Sequence, residues 1–190
     1  MYDYKKLVFN LRNPDELEIL PEDLLERCII YKSFYSSNTY SLRLENDLKN
    51  IFNLKNKLDK TSGDATTTSG KTVEIKVSLG NLDFNFVQIR PNHKVDYYIL
   101  LIYDISVDEI GKIHFLFFKS HELYNLIPKF GEYSHGTIKV LGRITQTFNK
   151  RLEYSLRPSR NTRKKKRFEL WKEFLEYEKT EEEIFEILNT

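Results

Sequence analysis

The segment 96–105, DYYILLIYDI, is almost wholly apolar. Its longest uninterrupted apolar run, Tyr97 to Tyr103, has the length of a strand and falls far short of the roughly 20 residues of a membrane span. A short run without hydrophobic alternation predicts a central strand covered on both faces. The fold must then supply at least two covering layers. Two flanking segments predict the rest of a sheet. TVEIKVSL, residues 72–79, alternates strictly, with Val73, Ile75, Val77 and Leu79 on one side and Thr72, Glu74, Lys76 and Ser78 on the other. KIHFLFFK, residues 112–119, predicts a further strand.

Helical spacing appears between and beyond these strands. Pro21 followed by Glu22 and Asp23 marks a helix start running to about Tyr31. Leu44, Leu48, Ile51, Phe52 and Leu58 recur at helical intervals and predict a helix from Ser41 to Lys57. HELYNLIPKF predicts a short helix ending near Gly131. Residues 164–178 predict another, with Phe168, Trp171, Leu175 and Phe174 on its buried face. Residues 60–71, KTSGDATTTSGK, read as a loop, short strand and turn. Residues 84–90 fit helix or strand and must stop by Pro91. Residues 1–12 suggest a short strand or arm, and 132–157 an irregular or weakly stranded segment. The order of elements predicts one α/β domain over 1–190, a central mixed β-sheet flanked by helices. Its core spans about 41–130, with a basic segment and helix at about 157–188 appended.

The chemistry concentrates on the alternating strand. Glu74 and Lys76 share its polar face, and Asp64 lies ten residues upstream of Glu74 across a turn. A hairpin returning through Ser69-Gly70 would bring Asp64 beside Glu74. Two carboxylates held together in a partly desolvated cleft repel each other and favour a divalent cation. Oxygen ligands of this kind suit Mg2+, and Lys76 beside it could stabilise a pentavalent phosphate. The plain alternatives are an ion pair on a solvated sheet face for Glu74 and Lys76, and a turn residue for Asp64.

Gly63-Asp64, eight residues, then Val73-Glu74-Ile75-Lys76-Val77 resembles the D-x(n)-E-x-K signature of the PD-(D/E)xK nucleases. The segment Asp64 to Phe118, including FNFVQIRPNHKVDYYILLIYDI, and the later HGTIK at 135–139 look most like small type II restriction endonucleases. Gly63 stands where the family usually has Pro. The resemblance implies a restriction-endonuclease-like core, with Asp64 and Glu74 as Mg2+ ligands and Lys76 as the catalytic lysine. Glu45 matches in order an additional helical Glu of the family, and Gln88 a Gln that follows the lysine. The plain alternative for Glu45 is a surface residue, and for Gln88 a partner of backbone groups near a sheet edge. The resemblance also implies a homodimer cutting double-stranded DNA beside a cognate DNA methyltransferase, and the single cysteine suits a reducing, cytoplasmic setting.

Charge distribution supports a nucleic-acid partner where net charge, only +2, does not. Residues 157–167, RPSRNTRKKKR, form a dense basic tract, and eight Glu follow between Glu169 and Glu186. Cations at a helix start oppose its dipole, and a DNA backbone would explain them. Arg163, Lys164, Lys165 and Lys166 are therefore candidate phosphate contacts, together with Arg90, His93, Lys94, His135, Lys139 and Arg143. Arg90 and Arg143 are candidate base readers. The plain alternative for the tract is a solvated linker. A single cysteine, Cys28, excludes an internal disulfide, and four scattered histidines without metal spacing argue against structural zinc. The start of the chain lacks a signal peptide's apolar core. A junction-resolving or repair nuclease and a non-catalytic DNA-binding protein are the competing functions.

Overall fold

Strand β5 (Tyr97–Asp104) is buried from Tyr98 to its end because sheet neighbours and two side-chain layers enclose it. The computed structural model describes residues 37–104, 112–134 and 153–190. In chain order the described elements are α1 (Ser37–Ile51), β1 (Lys55–Asn56), β2 (Ala65–Thr66), β3 (Thr72–Gly80) and β4 (Phe86–Ile89). There follow β5, β6 (Lys112–Lys119), α2 (Ser120–Phe130), β7 (Glu132–Tyr133), β8 (Tyr154–Leu156), α3 (Lys165–Leu175) and α4 (Glu181–Asn189). The chain is a mixed α/β protein. Its central five-stranded sheet has the order β1-β2-β3-β5-β6, and four described helices flank it.

β3 pairs with β5 in parallel, from Val73 opposite Tyr97 to Gly80 opposite Asp104. β6 pairs with β5 antiparallel, from Tyr97 opposite Lys119 to Asp104 opposite Lys112. A parallel pair needs a crossover. Here residues 84–90, which fit helix or strand by sequence, supply β4, and β4 belongs to a second sheet of order β4-β8-β7. The crossover thus builds part of a covering layer.

Alternation divides the side chains between two cores. On one face Val73, Ile75, Leu79, Ile99, Leu101, Phe115 and Phe117 pack against Leu44, Leu48 and Phe52 of α1 and its end, and against Ile184 and Leu188 of α4. On the other, Tyr98, Leu100, Ile102, Leu116 and Phe118 meet the second sheet, α2 and α3. Burying side chains on both sides of one strand accounts for its unbroken apolar composition.

Several boundaries differ from the sequence reading. The helix expected over 41–57 is α1, which ends at Ile51. Asn53 takes a left-handed φ of 53°, and the N–H groups of Asn53 and Leu54 donate to Asn50 and Lys49 carbonyls at 3.3 and 2.8 Å. This paired closure is a Schellman stop, for which Asn is a suitable residue. Leu58, expected on the helix's apolar face, is consequently exposed. The helix expected over 164–178 ends at Leu175, and Leu170, Trp171 and Phe174 are its buried residues, while Leu175 is exposed. Residues 177–179 instead run along β6. Phe117 N–H donates to Tyr177 O, and Lys179 N–H to Phe115 O, both at 2.9 Å. A separate helix, α4, then starts at a capping box made by Thr180 and Glu183. Because α3 enters one core and α4 the other, the last helices are integral to the domain rather than appended to it. The readings for residues 1–12 and 21–31, Cys28 included, lie outside the described residues. No helix among the described residues is long and apolar enough to cross a membrane.

Candidate active site

The hairpin expected through Ser69-Gly70 forms. Thr67 N–H donates to Lys71 O at 2.8 Å, and Gly70 N–H to Thr67 O at 3.1 Å. Gly70 has a φ of +85°, which costs glycine little. Ala65 then pairs with Val73 and Thr66 with Thr72. One residue before β2, Asp64 N–H still donates to Val73 O at 2.8 Å, and its Oδ2 accepts from Ile75 N–H at 3.0 Å. The aspartate side chain takes over the ladder where the partner strand's backbone leaves it. Gly63 has a φ of +76°, and a Cβ there would lie 2.6 Å from Val73 O. Proline fixes φ near −65°, so the family's usual Pro is excluded by this turn.

Glu74 and Lys76 do not lie on a solvated sheet face. Their cross-strand neighbours are Tyr98 and Leu100, members of the second core. Their side chains are only 12% and 14% exposed, and Lys76 Nζ meets Glu74 Oε1 at 2.8 Å. Glu45 approaches from α1, where it pairs with Lys49 at 2.5 Å. Glu45, Asp64, Glu74 and Lys76 line one cleft of about 510 Å³, and Gln88 and Arg90 of the β4 side line it too. Burial, then the negative charges of Glu74 and Glu45, push the Asp64 carboxyl up to about 6, against smaller opposing effects of the Ile75 N–H and Lys76. The cleft holds more carboxylate charge than its lysines balance.

The remaining candidates fall in distinct places. Gln88 is exposed and has a left-handed φ of 58°. Arg90 is held by Glu153, at 2.7 Å through Nε and 2.6 Å through Nη2. His93 is half-buried. Burial and the neighbouring Arg90 cation lower its pKa, partly offset by Glu74 and Glu153. Lys94 is exposed, and its backbone ties the Asp64 loop down through an N–H bond to Thr61 O at 2.9 Å. Lys164 binds Asp83, which lines the cleft, and this brings the basic tract to the site. Arg163, Lys165 and Lys166 are exposed there. Arg160 and Arg167 of the same tract are engaged by Asp104 and Glu132, so part of its charge is structural. His135, Lys139 and Arg143 lie outside the described residues.

Three features were not anticipated. Lys49 balances Glu45, a pairing its i,i+4 spacing could have revealed. Tyr98, beside Glu74 in the register, shares a 3.1 Å hydroxyl contact with Tyr124. Asp83 anchors the basic tract, over a sequence separation no local pattern records.

Among the described residues, no group of three or more His, Cys, Asp or Glu side chains is arranged to hold a metal ion. Mg2+ does not require such a cage, since one or two carboxylates suffice alongside waters and substrate phosphate. The donor set fits that requirement: two carboxylates on one cleft wall, one of them resisting ionisation because it is buried and faces the negative charges of Glu74 and Glu45. No protein-family model matches this chain, and no curated protein matches it either.

Proposed function

We propose that the chain is a Mg2+-dependent endonuclease of double-stranded DNA, sequence-specific in the manner of a type II restriction enzyme. The observation that carries this reading is the placement of Glu74 and Lys76. A charged pair on a strand's inner face, beside a second carboxylate raised to about 6, is costly to bury. Structural ion pairs also perturb pKa values, but a cleft with excess carboxylate is where chemistry at phosphate would be expected.

Asp64 and Glu74 would hold the metal. When bound, it supplies Lewis acidity toward water and toward a phosphate oxygen. The Ile75 N–H fixes the Asp64 carboxylate in orientation. Lys76 holds a positive charge within reach of Glu74 and, with Glu74 engaged elsewhere, can turn to the negative charge that grows on the scissile phosphate. Glu45 adds negative charge at the same wall, and Lys49 keeps it in place. The exposed cations beside Asp83 would grip the DNA backbone as it leaves the cleft.

The test is cleavage of phage or plasmid DNA in Mg2+ by the wild type, Glu74→Ala and Lys76→Ala. Discrete fragments from the wild type alone support the proposal. Folded, DNA-binding proteins that never cut would replace it with a non-catalytic DNA-binding protein. Preference for branched over linear duplexes would point to a junction-resolving enzyme.

A further inference from the structure

We infer that Gln88 reads a base, taking an adenine edge of the bound duplex, instead of joining the hydrolytic machinery. The inference rests on the DNA-acting reading of the same cleft and adds the residue that gives it sequence preference.

The register of β4 supplies the first argument. Phe86 pairs with Leu156 and Ile89 with Tyr154, so Val87 and Gln88 together stand opposite Ser155 alone. One extra residue on one strand is a β-bulge. It has a packing consequence. Phe86 and Ile89 are three apart, an odd spacing that would send them to opposite faces of a regular strand, yet both are buried, at 1% and 0% exposure. The bulge lets both reach the core and turns Val87 and Gln88 toward the cleft they line.

The second argument is conformational. Gln88 adopts a φ of 58°, a region unusual for a residue with a Cβ and one where Gly or Asn would serve the backbone better. The position retains a longer carboxamide all the same. That carboxamide is exposed and makes no hydrogen bond among the described residues. It shares no polar contact with Asp64, Glu74 or Lys76, which are occupied with Ile75 N–H and with each other. Arg90, which follows β4 and also lines the cleft, is already committed to Glu153.

The third is chemical. A carboxamide presents one acceptor and a pair of donors in a plane, the complement of adenine N6 and N7. One such bidentate contact discriminates against a wrong base by about 5- to 150-fold.

The test is selection of bound duplexes from a random library by gel shift in Ca2+, using wild type, Gln88→Gly and Gln88→Asn. Glycine removes the amide and suits the left-handed backbone, so the fold is kept; asparagine keeps the amide one methylene shorter. The wild type should enrich a motif with a fixed A·T pair. Gln88→Gly should lose the preference at that position by about 5- to 150-fold and keep it elsewhere, and Gln88→Asn should hold a weaker adenine preference. The same motif from wild type and Gln88→Gly would overturn the inference, as would no motif from the wild type. The cleavage reading fails separately, if wild type in Mg2+ leaves the selected duplexes uncut while the motif still depends on Gln88.

Discussion

The Asp64 carboxylate accepts the Ile75 N–H at 3.0 Å, so one residue caps the end of a β-ladder and also faces the acidic wall of the cleft. Its pKa, raised to about 6 by burial and by Glu74 and Glu45, lies above the ordinary value of 3.8. The native state therefore holds this proton more tightly than the unfolded chain does. Stability falls as pH rises between those two values, and the full cost is present above pH 6. Asp64→Asn keeps an acceptor for Ile75 and removes the charge. It should stabilise the protein at pH 7.5 by roughly 2 kcal/mol, an advantage that vanishes near pH 3.5. Urea denaturation at the two pH values checks this.

Mg2+ should reverse that ranking. A cation bound by Asp64 and Glu74 stabilises only the folded state, by RT ln(1 + [L]/Kd). Wild-type thermal midpoints should rise with Mg2+ concentration, whereas those of Asp64→Asn and Glu74→Gln should stay flat. A wild type insensitive to millimolar Mg2+ would count against the metal site.

Lys76→Ala strands the largely buried Glu74 beside two other acids. Removing one partner of a buried pair costs more than removing both. Lys76→Ala should lose on the order of 3 kcal/mol, and the double variant Glu74→Gln, Lys76→Ala less than that. A double-mutant cycle with Glu74→Gln checks this, and a double loss equal to the sum of the two single losses would mean the pair is not coupled.

Gly63 and Gly70 both have left-handed φ, yet they should respond differently to alanine. At Gly63 the new Cβ meets Val73 O at 2.6 Å, while at Gly70 nothing lies within 4 Å. Gly70→Ala should cost about 1 kcal/mol from backbone strain alone. Gly63→Ala should cost about 3 kcal/mol, because the loop that presents Asp64 must shift. Chemical denaturation separates the two, and equal costs would refute the steric argument.

Arg163, Lys165 and Lys166 are exposed beside the Asp83 end of the cleft, whereas Lys164 is tied to Asp83. Replacing the three exposed residues by Ala should weaken DNA binding without altering sequence preference. The slope of log K against log salt should shrink by roughly 2 to 3 units. An unchanged slope would show that the tract does not touch phosphate.

Much of the fold is legible locally. The strands 72–79, 96–105 and 112–119 and the Asp64 hairpin declare themselves through alternation, apolar runs and turn residues. Local order is also where two misreadings arose. Leu58 continues the helical periodicity of Leu44 and Leu48 on the sequence, but Asn53 ends the helix before it. Helix α4 was missed although Thr180 and Glu183 have capping-box spacing, because the surrounding glutamates read as one charged stretch.

By itself, the sequence determined which segments could be strands and that Glu74 and Lys76 would share a face with Asp64 nearby, since pleat and hairpin are short-range geometry. Only the tertiary structure decided that this face is an inner one. A residue's period says which side it points to, not what covers that side. The cover here comes from β4 on the crossover, β8 about eighty residues downstream of Glu74, and α3 beyond that. Those long-range contacts turn an ordinary pair of charges into a buried site.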